Sequence, residues 1–403
     1  MTINNEHKKL NVPNLRFPEF QGEWEKCRLG EVCTFLSGGT PKIDVKEYWN
    51  GTIPFVSAIS MHDTYILDSK LHISEEGLKH GSRLLTKNNL LLLVRGSMLW
   101  NTIPICLNKN DVAFNQDVKG IIVNDTINNE FLLYWLKSKE QRLKYMVTGT
   151  GLGAGKLDTS DLLSMIVYIP AMKEQDKVAR LLSLFDERIA AQNKIIEDLK
   201  KLKCAIIEKH YLQAKLHKYK ICDLGVPFSV GSLSKEDLSE KGHECILYGE
   251  LFTTYDCVIN EVKSHTNKIA NTTLSQKGDL VFPSSTTVDA VSLISPSVID
   301  IPNVILGGDM FGIHIDKKFN AYYLSYYINL IARKKLAIYA KGSTIIHLHY
   351  NDIANAQLLL PDLCEQDIIA KCMIAEDNKI KVEEQLLTKL ENQKQYLLRQ
   401  MFV

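Results

Sequence analysis

The sequence predicts a mixed α/β (α+β) protein in which two similar globular domains alternate with two long helices. A stretch from Ile169 to Tyr211 recurs without a gap 191 residues later, from Leu360 to Val403. Both copies show the apolar spacing of a long helix, whereas the segments before them contain short apolar runs typical of strands. These runs follow the same order in both halves. The chain is therefore a duplicated unit with a pseudo-twofold internal repeat.

Size and composition limit the possible classes of protein. At 403 residues, the chain exceeds a typical single domain. The chain has 48 basic and 47 acidic residues, so its overall charge does not indicate a polyanionic partner. A local basic surface, or one shared with a partner, stays possible. Nine cysteines without a C-x-x-C pair favour a reducing cytoplasm over a disulfide framework or a zinc cluster. No signal peptide or membrane-spanning segment is expected.

The repeat divides the chain into five predicted segments. These are an N-terminal arm (1–25), a first globular domain (26–169), a first helix (170–216), a second globular domain (217–360) and a second helix (361–403). Pro13 and Pro18 bracket apolar residues of the arm, and Phe20 and Trp24 add apolar mass that a disordered tail would not need. We therefore expect the arm to pack on another part of the protein.

Short strands and one helix are predicted in the first domain. The run Ser37–Pro41 is typical of a turn, Ile53–Ile59 and Leu90–Val94 of strands, and Asn129–Lys139 of a helix. Further strands are expected at 121–123 and 165–169. The second domain repeats this order with different loops, which is expected if one scaffold carries two different binding surfaces.

The two repeated helices are predicted to form an antiparallel coiled coil. Pro170 and Pro361 suit a helix entry, an acidic first turn follows each, and neither copy contains an internal Pro or Gly. Apolar residues alternate at intervals of three and four, which is typical of a coiled-coil seam. The predicted seam residues are Leu182, Phe185, Ile189, Ile196, Leu199 and Ile206 in the first copy, and Met373, Ile380, Leu387, Leu390, Leu397 and Met401 in the second. The alternative is two amphipathic helices in separate cores, but helices of about 60 Å are longer than one compact domain buries.

Several patterns in the sequence resemble catalytic or ligand-binding motifs, but each lacks a residue or the structural context that its motif requires. Gly149–Ala154 fits G-x-G-x-x-A, but a helical segment precedes it and no convincing helix opens after it, so a dinucleotide site is not expected. A phosphate-binding P-loop at Gly155-Lys156 lacks the required upstream glycine. His347 and His349 have no third metal ligand nearby. The chain contains no Pro-Pro dipeptide, which removes the signature of amino-methyltransferases. The sequence therefore predicts no catalytic residue and no metal site.

The duplicated helix, the segment Asn14–Val32 and the run Gly38–Ser57 together resemble the specificity subunit of type I restriction-modification systems. The resemblance covers essentially the whole chain, and its most specific part is the repeated Pro…Glu-Gln-Asp…Ala…Asp pattern. It implies that the two globular domains are target recognition domains, each reading one half of a split, asymmetric double-stranded DNA target. The second domain lacks the Gly-Gly-Thr-Pro motif, so its binding loops cannot be inferred from the first.

The same resemblance implies a set of partners. The coiled coil would dock two methyltransferase subunits, and restriction subunits would join that core. S-adenosylmethionine, ATP and magnesium are then expected on partner subunits, with no cofactor in this chain, whose role would be non-catalytic. Two alternatives stay open: a coiled-coil scaffold that binds only proteins, and an enzyme in its own right.

Candidate DNA contacts are polar or basic loop residues next to predicted strand ends, because such side chains commonly read bases in the major groove. In the first domain they are Thr40, Lys42, Tyr48, Ser57, Arg95, Ser97 and Lys156; in the second they are Ser284, Ser285, Thr286, Lys341, Ser343, Thr344 and His347. For each residue, the alternative is a solvated or capping role.

Overall fold

The structure is a computed structural model that describes residues 11–151 and 153–403, so residues 1–10 of the predicted arm lie outside it. The chain divides into two compact units. One comprises the chain up to Asn193 together with Leu386–Val403, and the other comprises Lys194–Gln385. Each unit therefore combines one globular domain with half of each long helix.

The first unit contains the following elements. Its strands are β1 (Glu25–Arg28), β2 (Cys33–Ser37), β3 (Ile53–Val56), β4 (Tyr65–Ile66), β5 (Leu71–Ile73), β6 (Leu84–Leu85), β7 (Leu90–Leu93), β8 (Arg95–Gly96), β9 (Ile105–Asn108), β10 (Val112–Phe114), β11 (Val118–Val123), β12 (Thr148–Gly149), β13 (Gly155–Lys156) and β14 (Ile166–Ile169). Its helices are α1 (Leu29–Val32), α2 (Glu75–Lys79), α3 (Asn129–Ser138), α4 (Glu140–Tyr145), α5 (Thr159–Ser164) and the beginning of α6 (Met172–Gln213). Short 3-10 turns occupy Lys46–Tyr48, Ala58–Ser60 and Ser97–Trp100.

Two sheets and a buried helix build the first domain. A five-stranded sheet has the order β2-β11-β7-β9-β4, and a four-stranded sheet has the order β5-β3-β10-β6. All four residues of β7 are buried leucines, as expected for a strand covered on both faces. Helix α3 buries the consecutive residues Phe131–Leu136 in the same core. Residues of the arm join this core through Trp24, which is only 2% exposed.

The second unit has its own set of elements. Its strands are β15 (His217–Lys220), β16 (Gly225–Ser229), β17 (Leu238–Ser239), β18 (His243–Leu247), β19 (Val258–Ile259), β20 (Ser264–Thr266), β21 (Thr273–Leu274), β22 (Asp279–Pro283), β23 (Ser285–Thr286), β24 (Ser297–Ile299), β25 (Ile305–Gly307), β26 (Met310–Ile315), β27 (Ile346–His347) and β28 (Gln357–Leu360). Its helices are the end of α6, then α7 (Glu250–Thr253), α8 (Ala290–Leu293), α9 (Ala321–Tyr327), α10 (Arg333–Ala337), α11 (Tyr350–Ile353) and the first part of α12 (Leu363–Gln400), with a π-helical turn at Ile328–Ala332. The last part of α12, from Leu386, belongs to the first unit. Short 3-10 turns occupy Ile221–Asp223 and Lys235–Asp237.

The second domain repeats the topology of the first. Its main sheet has the order β16-β26-β22-β24-β19, in which every strand is the counterpart of the strand at the same place in the first domain. The smaller sheet, β17-β20-β18-β25-β21, corresponds to β5-β3-β10-β6 with β17 added at its edge. The predicted mixed fold with two similar domains is thus confirmed.

The repeated Glu-Gln-Asp triplet fastens each long helix to its domain. In the first unit, the side chain of Gln175 accepts a hydrogen bond from the backbone N–H of Asn128 at 2.8 Å. It donates to the carbonyls of Thr126 and Pro170, both at 2.9 Å. Asn128 is also the N-cap of α3 and donates to Asp176. Gln366, Asp367 and Asn320 repeat these contacts in the second unit.

The two long helices run antiparallel where they pair. In the second unit, Lys200 of α6 binds Glu384 of α12 at 2.7 Å, and Lys203 binds Asp377 at 2.5 Å. Residue numbers therefore rise along one helix and fall along the other. In the first unit, Lys394 of α12 binds Asp186 of α6.

The predicted seam residues differ in burial. Leu182, Ile196, Leu199, Met373, Ile380, Leu390 and Met401 are buried, whereas Phe185, Ile189, Ile206, Leu387 and Leu397 are partly exposed. Two neighbours that the spacing did not select, Ile207 and Leu398, are more deeply buried than Ile206 and Leu397. Met401 follows the end of α12 and packs with Phe402 in the first core, so it is not a helical seam residue.

Several boundaries differ from the predicted ones. The strand predicted at Ile53–Ile59 ends at Val56, because a 3-10 turn begins at Ala58. A short helix, α5, does follow the glycine-rich segment, although none was expected there. No helix in the described part of the chain is both long and apolar enough to cross a membrane.

Candidate nucleic-acid interface

A small three-stranded sheet, β12-β13-β8, carries two of the three basic candidates of the first domain. In this sheet, Arg95 of β8 lies directly opposite Lys156 of β13. Ser97 begins the 3-10 turn that follows and is exposed. The structure therefore brings Lys156 onto the same edge of the domain as Arg95 and Ser97, which lie about 60 residues earlier in the sequence.

A glycine-rich hairpin between β12 and β13 borders this edge. The backbone N–H of Thr150 donates to the carbonyl of Ala154 at 2.8 Å and closes the turn. The indole N–H of Trp100 donates to the carbonyl of Gly153 at 3.0 Å, which ties the tip of the hairpin to the turn after β8. A Cβ on Gly155 would lie 2.7 Å from Val147, so this strand needs glycine for close packing. The G-x-G-x-x-A pattern is thus a β-hairpin and not a strand-to-helix phosphate loop.

The loop Asn115–Asp117 joins further candidates to the same edge. The carbonyl of Asp117 accepts hydrogen bonds from the backbone N–H groups of Val94 and Arg95, at 2.8 and 3.3 Å. The hydroxyl of Thr40 donates to the side-chain oxygen of Gln116 at 2.7 Å. Ser57 follows Val56, whose carbonyl accepts from the backbone N–H of Asn115. This loop was not singled out in the sequence.

Lys42 and Tyr48 lie in the neighbouring turn before β3. The carbonyl of Lys42 accepts a hydrogen bond from the Trp49 indole at 3.0 Å, and the Tyr48 ring stacks on His80 at a centroid distance of 5.4 Å. Both contacts are exposed. Tyr48 therefore has a structural role, but its ring keeps part of its surface available.

The second domain builds the corresponding surface from β23 and β27. Ser285 pairs with His347, and Thr286 pairs with Ile346. Backbone hydrogen bonds of 2.9 and 2.7 Å between Lys341 and His347 close a short loop. Gly342 adopts φ +116° in this loop, where a Cβ would lie 2.0 Å from the carbonyl oxygen of Ile345. The loop exposes Ser343 and Thr344 at its tip.

The expectation that Ser284 and Ser285 are available on the surface is wrong. They are only 2% and 8% exposed. The backbone N–H of Ser284 donates to Asp309, and its carbonyl accepts from Leu348, so the residue is enclosed by the strand pairing around it. Among the candidates of this domain, Thr286, Lys341, Ser343, Thr344 and His347 keep exposed surface.

Two candidate lysines already have acidic partners. Lys156 lies 2.5 Å from Asp158, and Lys341 lies 2.5 Å from Asp352. Lys341 donates a hydrogen bond to the carboxylate of Asp352 and thereby lowers the pKa of Asp352. Since all four side chains keep exposed surface, these pairs are weak, and a phosphate could compete for either lysine.

The described residues show no group of three or more His, Cys, Asp or Glu side chains that could hold a metal ion. His347 and His349 stack on each other with centroids 6.2 Å apart. His347 lies in β27 of the candidate surface described above, and His349 stacks on it. The predicted absence of a metal site stays a prediction.

Comparisons with known proteins match this architecture. A family model described as the type I restriction modification DNA specificity domain matches residues 21–201 and again residues 221–392. The MjaVIII specificity subunit of Methanocaldococcus jannaschii is 26% identical over 426 residues, covering 99% of this chain and 96% of the relative. The EcoR124I/EcoR124II specificity subunit of Escherichia coli is 31% identical over 174 residues. That alignment covers 43% of each chain, so the chain spans less than half of this relative.

Two solved structures share the fold. The type I restriction-modification S subunit from M. genitalium matches with a TM-score of 0.62 and 17% identity, covering 97% of this chain and 99% of the other. A chain from a structure of complex assembly and conformational transition in a type I system matches with a TM-score of 0.54 and 14% identity, covering 93% and 96%. At these identities the likeness is one of fold. Because the family model matches both repeats over most of the chain, the protein belongs to the type I restriction-modification DNA specificity family.

Proposed function

We propose that this chain is the DNA sequence-specificity subunit of a type I restriction-modification complex. In this role, each globular domain reads one half of a split, asymmetric target in double-stranded DNA. The observation that carries the proposal is the pair of matching surfaces around β8 and β23, which share a topology and differ in their side chains. Arg95 and Lys156 occupy the surface of the first domain, whereas Thr286 and His347 occupy that of the second. Two different surfaces on one scaffold suit two different half-sites.

The long helices are proposed to dock two methyltransferase subunits, with restriction subunits joining the complex. Apolar side chains exposed on the helices support this role. On α12, Ile368 and Val382 are each 60% exposed and lie fourteen residues apart, which places them on one face. On α6, Ile195 and Leu202 are 45% and 47% exposed and lie one heptad apart. Apolar side chains exposed on one face of a helix are available to pack against another protein.

The chain itself is proposed to be non-catalytic. S-adenosylmethionine, ATP and magnesium would bind the partner subunits and support methylation and cleavage there. We also infer a cytoplasmic location, because all nine cysteines are free thiols, as is usual in a reducing compartment. A scaffold that binds only proteins would not need two distinct polar surfaces at equivalent places in the two domains.

The proposal is tested by expressing the chain with the methyltransferase subunit of its own system in cells that lack other DNA methylation. Single-molecule sequencing should then reveal methylated adenines in one non-palindromic motif with an unread spacer. Omitting this chain should abolish the motif. A palindromic motif, or methylation that does not depend on this chain, would contradict the proposal.

A second measurement addresses partner dependence. The net charge of +1 suggests that the isolated chain neutralises few phosphates. We expect weak, strongly salt-sensitive DNA binding by the chain alone, and much tighter specific binding in the presence of methyltransferase subunits. Nanomolar specific binding by the isolated chain at physiological salt would count against this dependence.

A further inference from the structure

We propose that Arg95 is a specificity-determining residue that reads a guanine in the half-site of the first domain. The inference rests on the proposed function and deepens it by assigning a base to one side chain. Arg95 is exposed, and within the described residues its guanidinium has no hydrogen-bond or ion-pair partner. By contrast, Arg16 is held by Glu174, and Arg333 by the carbonyls of Val291 and Ser292. The Arg95 side chain is thus not used to hold the fold together.

The backbone under Arg95 is fixed from several directions. Its N–H donates to the carbonyl of Asp117, and it pairs across the sheet with Lys156. The preceding residue, Val94, accepts a hydrogen bond from the N–H of Leu157 at 2.8 Å. Leu99, four residues further along, is completely buried. Because the backbone is already fixed, only the side chain of Arg95 has to be ordered on binding, which favours a specific contact.

The surface around Arg95 leaves room for a DNA duplex to approach. The residue is followed by Gly96, and the hairpin beside it carries Gly149, Gly151 and Gly153. A Cβ at Gly151 or Gly153 would have no neighbouring atom within 4 Å, so the tip of the hairpin is open. Gly151 and Gly153 carry no side chain, so the polypeptide backbone at these two positions can approach a base pair closely.

The chemistry of the side chain selects guanine among the four bases. A guanidinium presents two parallel N–H donors, and guanine presents two acceptors, O6 and N7, at matching separation in the major groove. Lys156, the cross-strand neighbour, is a single point charge that already pairs with Asp158. The corresponding strands of the second domain, β23 and β27, contain no arginine. We therefore assign the recognition of guanine by this arginine to the half-site of the first domain only.

The test uses the purified complex of the full chain with its methyltransferase subunits, and the target found by methylation sequencing. Each guanine of the target is replaced, one at a time, by 7-deazaguanine, which lacks N7 but keeps normal base pairing. Fluorescence anisotropy then gives the affinity for every duplex. 7-Deazaguanine removes the hydrogen bond to N7 and leaves the one to O6, so the wild-type complex should lose at least roughly threefold in affinity at one guanine or more. Loss of the whole bidentate contact weakens binding by roughly 5- to 150-fold.

Arg95→Ala should weaken binding by a similar factor and should abolish the 7-deazaguanine effect at one position, leaving the others unchanged. Arg95→Lys keeps the charge but not the rigid pair of donors, so the effect at that position should be smaller than in the wild type. The matched control is Lys26→Ala, which removes an exposed charge from β1 of the same domain and should preserve every 7-deazaguanine effect. Thermal unfolding of each variant checks that the fold is retained.

Each outcome separates the inference from the function on which it rests. If Arg95→Ala retains all 7-deazaguanine effects, or if no guanine is sensitive in the wild-type complex, the inference is overturned and the proposed function stands. Uniform weakening at all duplexes by Arg95→Ala would identify a phosphate contact and would also overturn it. If the complex shows no sequence preference at all, the proposed function fails, and the inference with it.

Discussion

Lys203 Nζ lies 2.5 Å from Asp377 Oδ1 in the second unit, linking α6 to α12. The hydroxyl of Tyr326 in α9 donates to the other carboxylate oxygen at 2.5 Å. The first unit repeats this cluster with Lys394, Asp186 and Tyr134. In each unit, one aspartate on a long helix therefore binds both the other long helix and a helix of the globular domain. Burial lowers the pKa of Lys203, but the hydrogen bond and charge of Asp377 outweigh burial and raise it overall.

Replacing Asp377 with Asn should destabilise the second unit. The amide still accepts a hydrogen bond from Tyr326 but no longer neutralises Lys203, whose side chain is only 16% exposed. Removing one partner of a buried ion pair costs about 3–5 kcal/mol, and the partial exposure of Asp377 reduces this to about 2–3 kcal/mol. Urea unfolding of the purified protein measures the change.

The control is Lys200→Ala, which removes the more exposed pair with Glu384 on the same helices. It should change the free energy of unfolding by no more than about 0.5 kcal/mol. The double variant Asp377→Asn/Lys203→Met should recover part of the loss, because no unpaired charge remains. Equal effects of Asp377→Asn and Lys200→Ala would refute the assigned role.

Gln175→Glu tests the role of the repeated triplet in fastening helix to domain. The side chain of Gln175 is 1% exposed and donates to two carbonyl oxygens. A carboxylate in its place has no N–H group to donate, so its negative charge would lie against both carbonyl oxygens and be repelled by them. We expect a loss of about 3 kcal/mol or more in the free energy of unfolding. Gln366→Glu should act in the same direction in the second unit, since Gln366 donates to Pro361.

Gln395→Glu is the matched control for this prediction. It makes the same chemical change at an exposed position of α12. Its effect on stability should stay within about 0.5 kcal/mol. If the buried and the exposed substitutions cost the same, the hydrogen bonds of Gln175 do not stabilise the fold.

The repeated residues show why the architecture could be predicted from the sequence. Asp186, Lys203, Asp377 and Lys394 stand out because they recur at a spacing of 191 residues. The structure gives the physical reason, since each aspartate of one copy binds the lysine of the other. Helical periodicity also predicted both long helices, because it depends on local spacing alone.

The candidate surfaces were harder to predict. Ser284 looks like a loop residue in the sequence, but strand pairing with distant residues encloses it. Thr40, Ser57 and Arg95 come together because the loop at 115–117 contacts three separate segments. It does so through the backbone N–H of Asn115, the side chain of Gln116 and the carbonyl of Asp117. Such contacts join residues far apart in the chain, and no local pattern encodes them.

Trp100→Phe should weaken DNA binding while leaving the stability of the fold nearly unchanged. The substitution removes the hydrogen bond from the indole N–H to the carbonyl of Gly153 but keeps an aromatic ring. The hairpin would then be less firmly held beside Arg95, and we expect a loss of roughly 3- to 10-fold in specific affinity for the complex. Anisotropy titration measures this change.

Tyr145→Phe provides the comparison for Trp100→Phe. Tyr145 is 89% exposed, so the substitution removes a polar atom from a neighbouring aromatic residue without breaking a hydrogen bond in the described protein. Affinity should stay within about twofold of the wild type. If Trp100→Phe binds DNA as tightly as Tyr145→Phe, the indole bond does not position the hairpin.

Lys137→Met tests a pH dependence in the first unit. Burial, and to a smaller extent repulsion from Lys394, lowers the pKa of Lys137 from 10.5 to about 8. Its ammonium donates to the hydroxyl of Thr64 at 2.7 Å in a small cavity of about 250 Å³. Between about pH 8 and 10.5 the unfolded chain binds more protons at this lysine than the folded chain does. The contribution of Lys137 to stability must therefore rise with pH across that window.

Methionine carries no charge and should remove this dependence. Lys137→Met should be more stable than the wild type by about 1–2 kcal/mol at pH 7, a value below the full pKa shift because the lysine keeps some exposed surface and loses its bond to Thr64. The advantage should shrink progressively between about pH 8 and 10.5. Urea unfolding from pH 7 to 10 provides the measurement, with Lys26→Met on exposed β1 as the control. A difference between Lys137→Met and wild type that stays constant with pH would show that the charge on Lys137 is not disfavoured by folding.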